Sequence, residues 1–218
     1  MILALSDIFP SAALTVIQSV AAALPFEDGA RTAGRLARQV KQNHQAADSS
    51  DRAALLEKVA TALLAHPVFV SAARPKAMVR LMVSRYGVGD RYGRHVDDAL
   101  MNGGRTDLSF TLFLSDPAAY EGGALVIEDG LESRKIKLTA GQLILYPSTT
   151  LHHVEPVTSG ERLAVVGWVQ SHVRDASRRE ILFDLDRAFA LAEAENASQE
   201  LLLNLSKARS NLIRMWAD

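Results

Sequence analysis

The sequence contains no cysteine, although it is 218 residues long. This absence excludes disulfide bonds, iron–sulfur clusters and zinc sites with cysteine ligands. A metal ion in this protein would therefore need histidine, aspartate or glutamate side chains as ligands. The chain has only six histidines, so each can be weighed by its spacing to the other candidate ligands.

The chain also lacks an excess of charge of either sign. Its 24 Lys and Arg residues face 25 Asp and Glu residues, which gives a net charge of −1. Proteins dedicated to nucleic acids or to anionic membranes usually carry a basic excess that attracts the phosphate groups of their partners. We therefore expect neither nucleic acid nor membrane as a partner.

Long apolar runs are absent as well. The N-terminal residues are mostly apolar, but no Lys or Arg precedes Arg31, and Asp7 and Pro10 interrupt the pattern that a secretion signal needs. Apolar residues at helical spacing instead predict an amphipathic helix from Ser11 to Pro25. Nothing else approaches the ~18 consecutive apolar residues of a membrane span, so we expect a cytoplasmic protein.

Composition divides the chain into three regions. These are an N-terminal helical region packed on the core (1–77), a β core (78–174) and a C-terminal helical extension (175–218). The first region is most clearly helical at 51–64, where Ser50 or Asp51 is the expected N-cap and Pro67 the expected stop. The last region carries two apolar stripes, separated near Asn196–Ser198, and predicts two helices.

Short runs rich in β-forming residues alternate with turn residues in the central region. The predicted strands are Met78–Tyr86, Leu108–Leu114, Ala124–Ile127, Lys135–Leu138, Gln142–Tyr146, Leu151–Val157 and Arg162–Gln170. Glu121–Gly123 and Thr158–Gly160 are predicted turns. Many short strands at regular spacing are typical of a sandwich or jelly roll, so we predict an α+β protein with a mainly β core.

The segment from Tyr86 to Asp97 is the most informative part of the sequence. In an extended chain, residues i and i+2 point to the same side, so His95 and Asp97 present an imidazole and a carboxylate together. Such a pair supplies two ligands of the facial triad that binds iron in non-haem Fe(II) oxygenases. His152 lies 57 residues after His95, in a later predicted strand, and is the candidate third ligand.

A His-x-Asp pair alone is a weak signal, and it belongs more often to a surface loop or to a structural histidine. The combination is more specific, because a turn-rich β region leads from the pair to His152 and Arg162 follows His152 by ten residues. If the turn at Thr158–Gly160 closes a hairpin, His152 and Arg162 lie on the same face of paired strands.

Together these motifs resemble the 2-oxoglutarate- and Fe(II)-dependent dioxygenases, specifically the bacterial PKHD-type hydroxylases, which are relatives of the prolyl 4-hydroxylases. The resemblance covers most of the chain. It rests on Arg85-Tyr86, Gly93–Asp97, Asp107–Leu114, Tyr120–Gly123, Leu143–Ser148 and Leu151–Arg162, with weaker likeness at Asp28–Gly34 and Val40–Asn43.

The resemblance implies a double-stranded β-helix, a cupin-like jelly roll, with His95, Asp97 and His152 as Fe(II) ligands. Arg162 would pair with the distal carboxylate of 2-oxoglutarate, since a guanidinium matches a carboxylate with two parallel hydrogen bonds. Tyr86 would line the same cosubstrate pocket. O2 would be consumed, and succinate and CO2 released. Related halogenases lack the carboxylate that Asp97 supplies, so hydroxylation is the implied reaction.

The family context also implies a role in bacterial iron homeostasis, with L-ascorbate as the helper that keeps iron reduced. It leaves the substrate open among a free amino acid, a peptidyl residue and a siderophore-like small molecule. A hypothesis from another class is a non-catalytic, cupin-like module that binds a metal or a metabolite. Arg162 favours the enzyme, because a module that only binds metal has no need of a carboxylate clamp.

The remaining polar candidates have plainer interpretations. Lys41 and Asn43 are expected to be exposed loop residues, although both are candidates for substrate contact. Arg174, Arg178 and Arg179 are expected on the solvated face of a helix start. The two C-terminal stripes exceed what a small jelly roll needs, so we expect them to pack on the core and to form a homodimer interface.

The neighbouring residues His152 and His153 provide a first test. On a strand the two side chains point to opposite faces, so only one of them can belong to the triad. We predict that His152→Ala abolishes Fe(II) binding and 2-oxoglutarate turnover, whereas His153→Ala keeps substantial activity. Metal content and succinate release of the two variants check this. The reverse ranking would show that the ligand assignment is wrong.

Overall fold

In the computed structural model, which describes residues 1–32, 34 and 37–218, antiparallel strands alternate with helices at both ends of the chain. Ala33, within the motif Asp28–Gly34, lies outside the described residues. The helices are α1 (Ser11–Ala23), α2 (Ser50–Ala65), α3 (Pro67–Ala73), α4 (Ala176–Ala194) and α5 (Gln199–Trp216), with short 3-10 turns at Gly29–Thr32, Ala37–Val40 and Pro117–Ala119.

Sixteen strands are assigned within the described residues. They are β1 (Leu3–Leu5), β2 (Phe26–Asp28), β3 (Lys41–Gln42), β4 (His44–Ala46), β5 (Pro75–Tyr86), β6 (Arg91–His95), β7 (Leu100–Met101), β8 (Gly104–Arg105), β9 (Leu108–Phe113), β10 (Tyr120–Gly122), β11 (Leu125–Asp129), β12 (Glu132–Ile136), β13 (Leu143–Pro147), β14 (His152–Val154), β15 (Val157–Gly160) and β16 (Arg162–Ser171).

Two sheets make up the β core. The major sheet has seven strands in the order β1-β13-β9-β16-β5-β4-β2, and the minor sheet has five in the order β12-β11-β14-β6-β3. All of their pairings are antiparallel. Apolar side chains of both sheets, such as Phe113 from the major and Ile127 from the minor, pack against one another between them. This is a jelly roll with flanking helices, so the predicted fold class is confirmed.

Strand β9 shows how the sequence positions both faces of the major sheet. All six of its residues are buried, because helices cover one face and the minor sheet covers the other. Leu108, Phe110 and Leu112 belong to the helix-side core, whereas Phe113 packs between the sheets. Ser109 and Thr111 point to the interior between the sheets, and both line the cavity there. Because successive side chains of β9 point to opposite sides of the sheet, the strand has one packed apolar face and one face with polar residues.

The helical region at the N-terminus packs on the outer face of the major sheet. In α2, Leu55, Val59 and Leu63 recur every four residues and are buried in the helix-side core. The N-cap is Ser49, whose side chain accepts a hydrogen bond from the backbone N–H of Arg52 at 3.1 Å, one residue before the predicted cap. Pro67 was predicted only to end this helix, but it also begins α3 at a position that needs no N–H donor.

The N-terminal region is less purely helical than predicted, because β1 to β4 and the start of β5 lie within its first 77 residues. Strands of two or three residues are too short to show a hydrophobic period, and pairing with distant strands stabilises them. Strand β5 begins at Pro75, three residues before the predicted Met78.

Two predicted turns are strands instead. Glu121 and Gly122 belong to β10, which pairs with β15, and β15 contains Thr158–Gly160. The predicted strand Leu151–Val157 is divided into β14 and β15. Pro156 lies at the break, where it cannot donate a ladder hydrogen bond.

The predicted hairpin between the strands of His152 and Arg162 is therefore wrong. Strand β14 pairs with β11 and β6 in the minor sheet, whereas β16 pairs with β5 and β9 in the major sheet. The intervening β15 carries the chain from one sheet to the other. His152 and Arg162 consequently line one interior from different sheets.

The two predicted C-terminal helices are confirmed as α4 and α5, and they pack against each other. Arg174 and Arg178 are exposed as predicted, but Arg179 is buried. Its guanidinium donates hydrogen bonds to the backbone carbonyls of Val173 and Arg174, at 2.7 and 2.8 Å, and so ties the helix start to the end of the β core. A guanidinium can satisfy such clustered carbonyls, which explains its burial.

Among the described residues, no single helix has both the length and the apolar composition to cross a membrane. Only α2 and α3 taken together meet these criteria, and they are bent relative to each other by 83°.

The helix-side core provides a stability test. Leu112 is fully buried at 0% exposure, whereas Leu131 in the β11–β12 turn is fully exposed. We predict that Leu112→Ala lowers the free energy of unfolding by about 2–5 kcal/mol, since it removes transfer energy and leaves a cavity. The control Leu131→Ala should change it by less than about 0.5 kcal/mol. Urea unfolding of both variants checks this, and similar losses would contradict the packing described.

Candidate active site

Three side chains with metal-ligand chemistry converge at one end of the minor sheet. His95 ends β6 and His152 begins β14, and the two residues are direct partners in the antiparallel register. Asp97 follows two residues after His95. Its carboxylate oxygens lie 3.9 Å from Nε2 of His95 and 3.7 Å from Nε2 of His152. The three candidate ligand atoms lie within 4.8 Å of one another.

Backbone carbonyls orient both imidazole rings. Nδ1 of His95 is 2.8 Å from the carbonyl of Gly93, and Nδ1 of His152 is 2.9 Å from the carbonyl of Thr150. A carbonyl only accepts, so each Nδ1 carries a proton, and each Nε2 faces Asp97 as the atom that could bind a metal ion. Burial lowers the pKa of His95 to about 4, assisted by the nearby His152, so this ring is neutral near pH 7.

A serine holds the carboxylate of the same cluster. The hydroxyl of Ser109 donates to Oδ2 of Asp97 at 2.5 Å and contacts the hydroxyl of Ser148 at 2.7 Å. Ser109 is one of the inward-facing polar residues of β9. Two oriented imidazoles and one carboxylate with a fixed orientation suit a divalent cation of the Fe(II) type, and this set leaves coordination positions open.

Arg162 lies deeper in the same interior. It is the first residue of β16, is 1% exposed, and pairs in register with Tyr86 of β5. Its guanidinium lies 5.1 Å from the ring centre of Tyr86 and 5.3 Å from that of Phe113. In the described part of the chain no carboxylate forms an ion pair with it, and its Nε is buried without a hydrogen-bond partner.

An unpaired buried cation is costly, so such a group normally has an anionic partner. The Tyr120 hydroxyl lies beside the guanidinium but makes no hydrogen bond of good geometry. Burial raises the pKa of Tyr120, and the nearby Arg162 opposes this rise. Gly123 leaves room for the Arg162 side chain, since a β-carbon there would lie 3.3 Å from Cδ of Arg162. The surroundings of Arg162 therefore suit a small anion from outside the chain.

Aromatic rings line the space between Arg162 and the metal-ligand cluster. The ring of Tyr92 stacks on His95 at 3.6 Å, and that of Tyr146 meets His152 edge-on at 5.1 Å. Burial raises the pKa of Tyr86 to about 12 and that of Tyr146 well above its usual value. Both phenols therefore stay protonated at neutral pH and can act as hydrogen-bond donors.

The structure thus brings together every residue that the sequence proposed for the site. His95, Asp97, His152, Tyr86 and Arg162 all line one cavity between the sheets. His153 lies on β14 beside His152 and pairs in register with Val126. It is not among the residues that line this cavity, as its position on the opposite face of the strand predicts.

The burial of some cavity residues was not predicted from the sequence. Lys41 and Asn43 were expected to be exposed, yet they are buried at 6% and 3% exposure and line the cavity with Gln45. They alternate along one face of an extended segment, but their neighbours are polar too, so no hydrophobic contrast reveals the pattern. Ser109 could have been recognised as a cavity residue, because it is a small polar residue in an otherwise largely apolar strand.

The comparisons with known proteins agree with this geometry. Residues 81–170 match the model of the 2OG-Fe(II) oxygenase superfamily, and residues 175–218 match that of the PKHD-type hydroxylase C-terminal domain. A PKHD-type hydroxylase of Maricaulis maris is 46% identical over 218 residues and covers 100% of both chains. One of Parvibaculum lavamentivorans is 52% identical over 194 residues, 88% of each chain.

Solved structures support the fold. A prolyl hydroxylase of Trichoplax adhaerens, in complex with a hypoxia inducible factor peptide fragment, has a TM-score of 0.60 at 16% identity and covers 77% of this chain and 82% of its own. A prolyl-4-hydroxylase of Pseudomonas putida has a TM-score of 0.53 at 18% identity, with coverage of 78% and 92%. The chain belongs to the PKHD-type hydroxylases of the 2OG-Fe(II) oxygenase superfamily and is an Fe(II)- and 2-oxoglutarate-dependent hydroxylase.

Proposed function

We propose that the protein is a dioxygenase that hydroxylates a small-molecule or peptidyl substrate and releases succinate and CO2. The observation that carries this proposal is the buried, unpaired Arg162 in the same cavity as the His95, Asp97 and His152 cluster. A non-catalytic metal-binding module has no use for such a cation. In the overall reaction, substrate, O2 and 2-oxoglutarate give hydroxylated substrate, succinate and CO2.

His95, Asp97 and His152 are the residues that would hold Fe(II), through the two Nε2 atoms and the Asp97 carboxylate. When bound, the iron supplies the oxidising chemistry that couples decarboxylation of 2-oxoglutarate to hydroxylation of a C–H bond. The chain's own contribution is orientation. Gly93 and Thr150 carbonyls fix the two rings, and the Ser109 hydroxyl fixes the carboxylate.

Arg162 would bind the distal carboxylate of 2-oxoglutarate. Its planar guanidinium offers two parallel N–H donors, and the flanking rings of Tyr86 and Phe113 exclude water, which strengthens the ion pair. The protonated Tyr86 hydroxyl is available to donate a hydrogen bond to a carboxylate oxygen of the same molecule. The ligand carboxylate thereby supplies the charge partner that the protein itself does not provide for Arg162.

The family context supports two further proposals about cellular role. We assign L-ascorbate as the reductant that keeps the iron in its Fe(II) state, and a role in iron homeostasis. From the sequence we assign the cytoplasm as the location, and from the balanced charge of the chain we expect no nucleic acid or membrane partner.

Arg162 gives a decisive test of the proposed function. Anaerobic Fe(II)-loaded wild type, Arg162→Lys and Arg162→Ala are titrated with 2-oxoglutarate, and the metal-to-ligand charge-transfer band reports binding. Loss of the guanidinium should cost about 3–5 kcal/mol, because it leaves a buried carboxylate unpaired. This corresponds to roughly a hundredfold to a few thousandfold in affinity. Arg162→Lys should recover part of it, since the charge remains but the two-pronged geometry is lost.

The control for this titration is iron binding, which should persist in both variants because Arg162 is not a ligand. Admission of O2 to the wild-type complex should then release succinate. Equal affinities in the three proteins would remove Arg162 from the cosubstrate site, and iron binding without succinate release would contradict the proposed reaction.

We also propose that the C-terminal helical extension, residues 175–218, forms a homodimer interface with a second copy of this chain. No residue of α5 is buried, although the helix packs on α4. Large apolar side chains stay exposed on the two helices, namely Ile181, Leu191, Leu201, Leu203 and Met215. A self-complementary apolar surface is a common way to form a two-fold dimer.

Sedimentation of the full chain tests the dimer. We predict a dimer for the full chain, and a monomer for the double variant Leu201→Gln, Met215→Gln, because these two exposed residues share one face of α5 and the substitutions place polar amides in the interface. Deletion of Asn196–Asp218 should likewise shift the oligomeric state or lower stability. Leu131→Gln, in the exposed β11–β12 turn outside the C-terminal helices, is the matched control and should remain dimeric. A monomeric full chain would refute the interface.

A further inference from the structure

The cavity extends well beyond the space that the cosubstrate needs. Alternate residues of β5 line it from Tyr86 at the inner end to Arg80 at the outer end, and β16 runs beside them. The register pairs Tyr86 with Arg162 and Arg80 with Trp168. Six residues of strand separate the two pairs, which is about 20 Å at ~3.3 Å per residue. A five-carbon diacid anchored at Arg162 is far shorter than this distance.

A single extended segment closes one side of the cavity. We call residues 41–46 the strap, because β3 pairs with β6 in the minor sheet and β4 pairs with β5 in the major sheet. Lys41, Asn43 and Gln45 alternate along the strap, are buried and face the cavity. Nζ of Lys41 lies 5.2 Å from the ring centre of Tyr92, beside the metal-ligand cluster. The strap therefore brings a cation to the cavity wall.

Arg80, at the outer end, brings a second cation to the same cavity. Lys41 and Arg80 both line the cavity. Burial lowers the pKa of Lys41 to about 8, with the Arg80 guanidinium as the next largest cause, while Asp97 and Asp28 oppose the shift. Arg80 forms no ion pair with any residue in the described ranges. Two nearby cations repel each other, and an anion placed between them removes this repulsion.

The indole of Trp168 supplies a third donor at this end. Trp168 is 8% exposed, lines the cavity, and its Nε1–H is buried without an acceptor among the described residues. An indole N–H can only donate, so it needs an acceptor that the described residues do not supply. Buried polar groups are rarely left unsatisfied, and a ligand oxygen is the natural partner.

The charge at this end favours an anion with a single negative charge. Carboxylates offset part of the positive charge of Lys41 and Arg80. Asp98 lines the cavity mouth and is exposed, and Asp97 and Asp28 act on Lys41. The remaining positive charge is therefore small, which suits a singly charged carboxylate better than a doubly charged phosphate.

We propose that Lys41, Arg80 and Trp168 form the recognition site for a carboxylate group of the primary substrate. The inference rests on the proposed function, and it deepens it by naming the substrate class. The carboxylate is held between Lys41 of the strap and the Arg80 and Trp168 pair, so that the rest of the substrate faces the His95, Asp97 and His152 cluster. Lys41, Arg80 and Trp168 are binding residues on this assignment, since they touch the substrate and not the metal.

The test uses the full chain loaded with Zn(II), which is redox-inert, and with just enough 2-oxoglutarate to fill the inner site. Trp216→Phe is the background, because it leaves Trp168 as the only tryptophan of the two in the chain. Butyrate and butyramide, which share a shape but differ in charge, are the probes. Calorimetry measures their affinities, and the emission of Trp168 reports where they bind.

Butyrate should bind and shift the Trp168 emission, whereas butyramide should bind at least about tenfold more weakly. Arg80→Gln should weaken butyrate binding by about tenfold or more, and Arg80→Lys should keep part of the affinity. Lys41→Gln should also weaken butyrate binding. Arg85→Gln is the matched control, since Arg85 is the next cation along β5 but lies over the Phe26 ring, outside the cavity. It should leave butyrate affinity unchanged.

Equal affinities for butyrate and butyramide would overturn the proposal. So would unchanged butyrate binding in Arg80→Gln, or an equal loss in Arg85→Gln. Loss in Arg162→Gln without loss in Arg80→Gln would place butyrate in the inner site and would also overturn it. The same preparations are titrated with 2-oxoglutarate. Failure of that binding would refute the proposed function, whereas normal 2-oxoglutarate binding without butyrate selectivity would refute only this inference.

Discussion

The pairing of β6 with β14 is the interaction on which the candidate site depends. Its register sets His95 directly opposite His152, and the carbonyls of Gly93 and Thr150 then fix both rings. A slip of one residue would turn every side chain of the moved strand to the opposite face and bring His153 inward. Strand register therefore assembles the cluster, and the side chains need no large rearrangement to bind a cation.

The major sheet separates stability from function by its two faces. Its outer face, with Leu112 and Val165, packs against the helices in an apolar core. Its inner face carries Arg162 and Ser109, which a purely structural interior would avoid. Because the helices cover the outer face, the protein can keep a polar cavity on the inner one. The helical regions are thus a physical requirement of this site, even though the described cavity-lining residues belong to the strands, the strap and their adjoining loops.

Patterns with strong local signals were predictable from the sequence, and those that depend on distant pairing were not. The spacing of His95, Asp97 and His152 and the stripes of α4 and α5 are visible in the chain alone. The strands β1 to β4 are too short to show a period, and the Gly-rich and polar composition of β10 and β15 imitates turns. The burial of the strap was not predicted, for another reason. Residues 41–45 are all polar, whichever way they face, so burial of Lys41 and Asn43 follows only from the two sheets that the strap joins.

The strap also links the two ends of the cavity. It pairs through β3 with β6, the strand that ends in His95, and through β4 with β5, the strand that carries Arg80 and Tyr86. A displacement of the strap would therefore act on the metal-ligand cluster and on the wall of the substrate site together. Arg80, by contrast, pairs with Trp168 of β16 and lies four residues before Ser84, where the strap pairs with β5. Lys41 lies on the strap itself and is therefore coupled to the cluster more directly than Arg80 is.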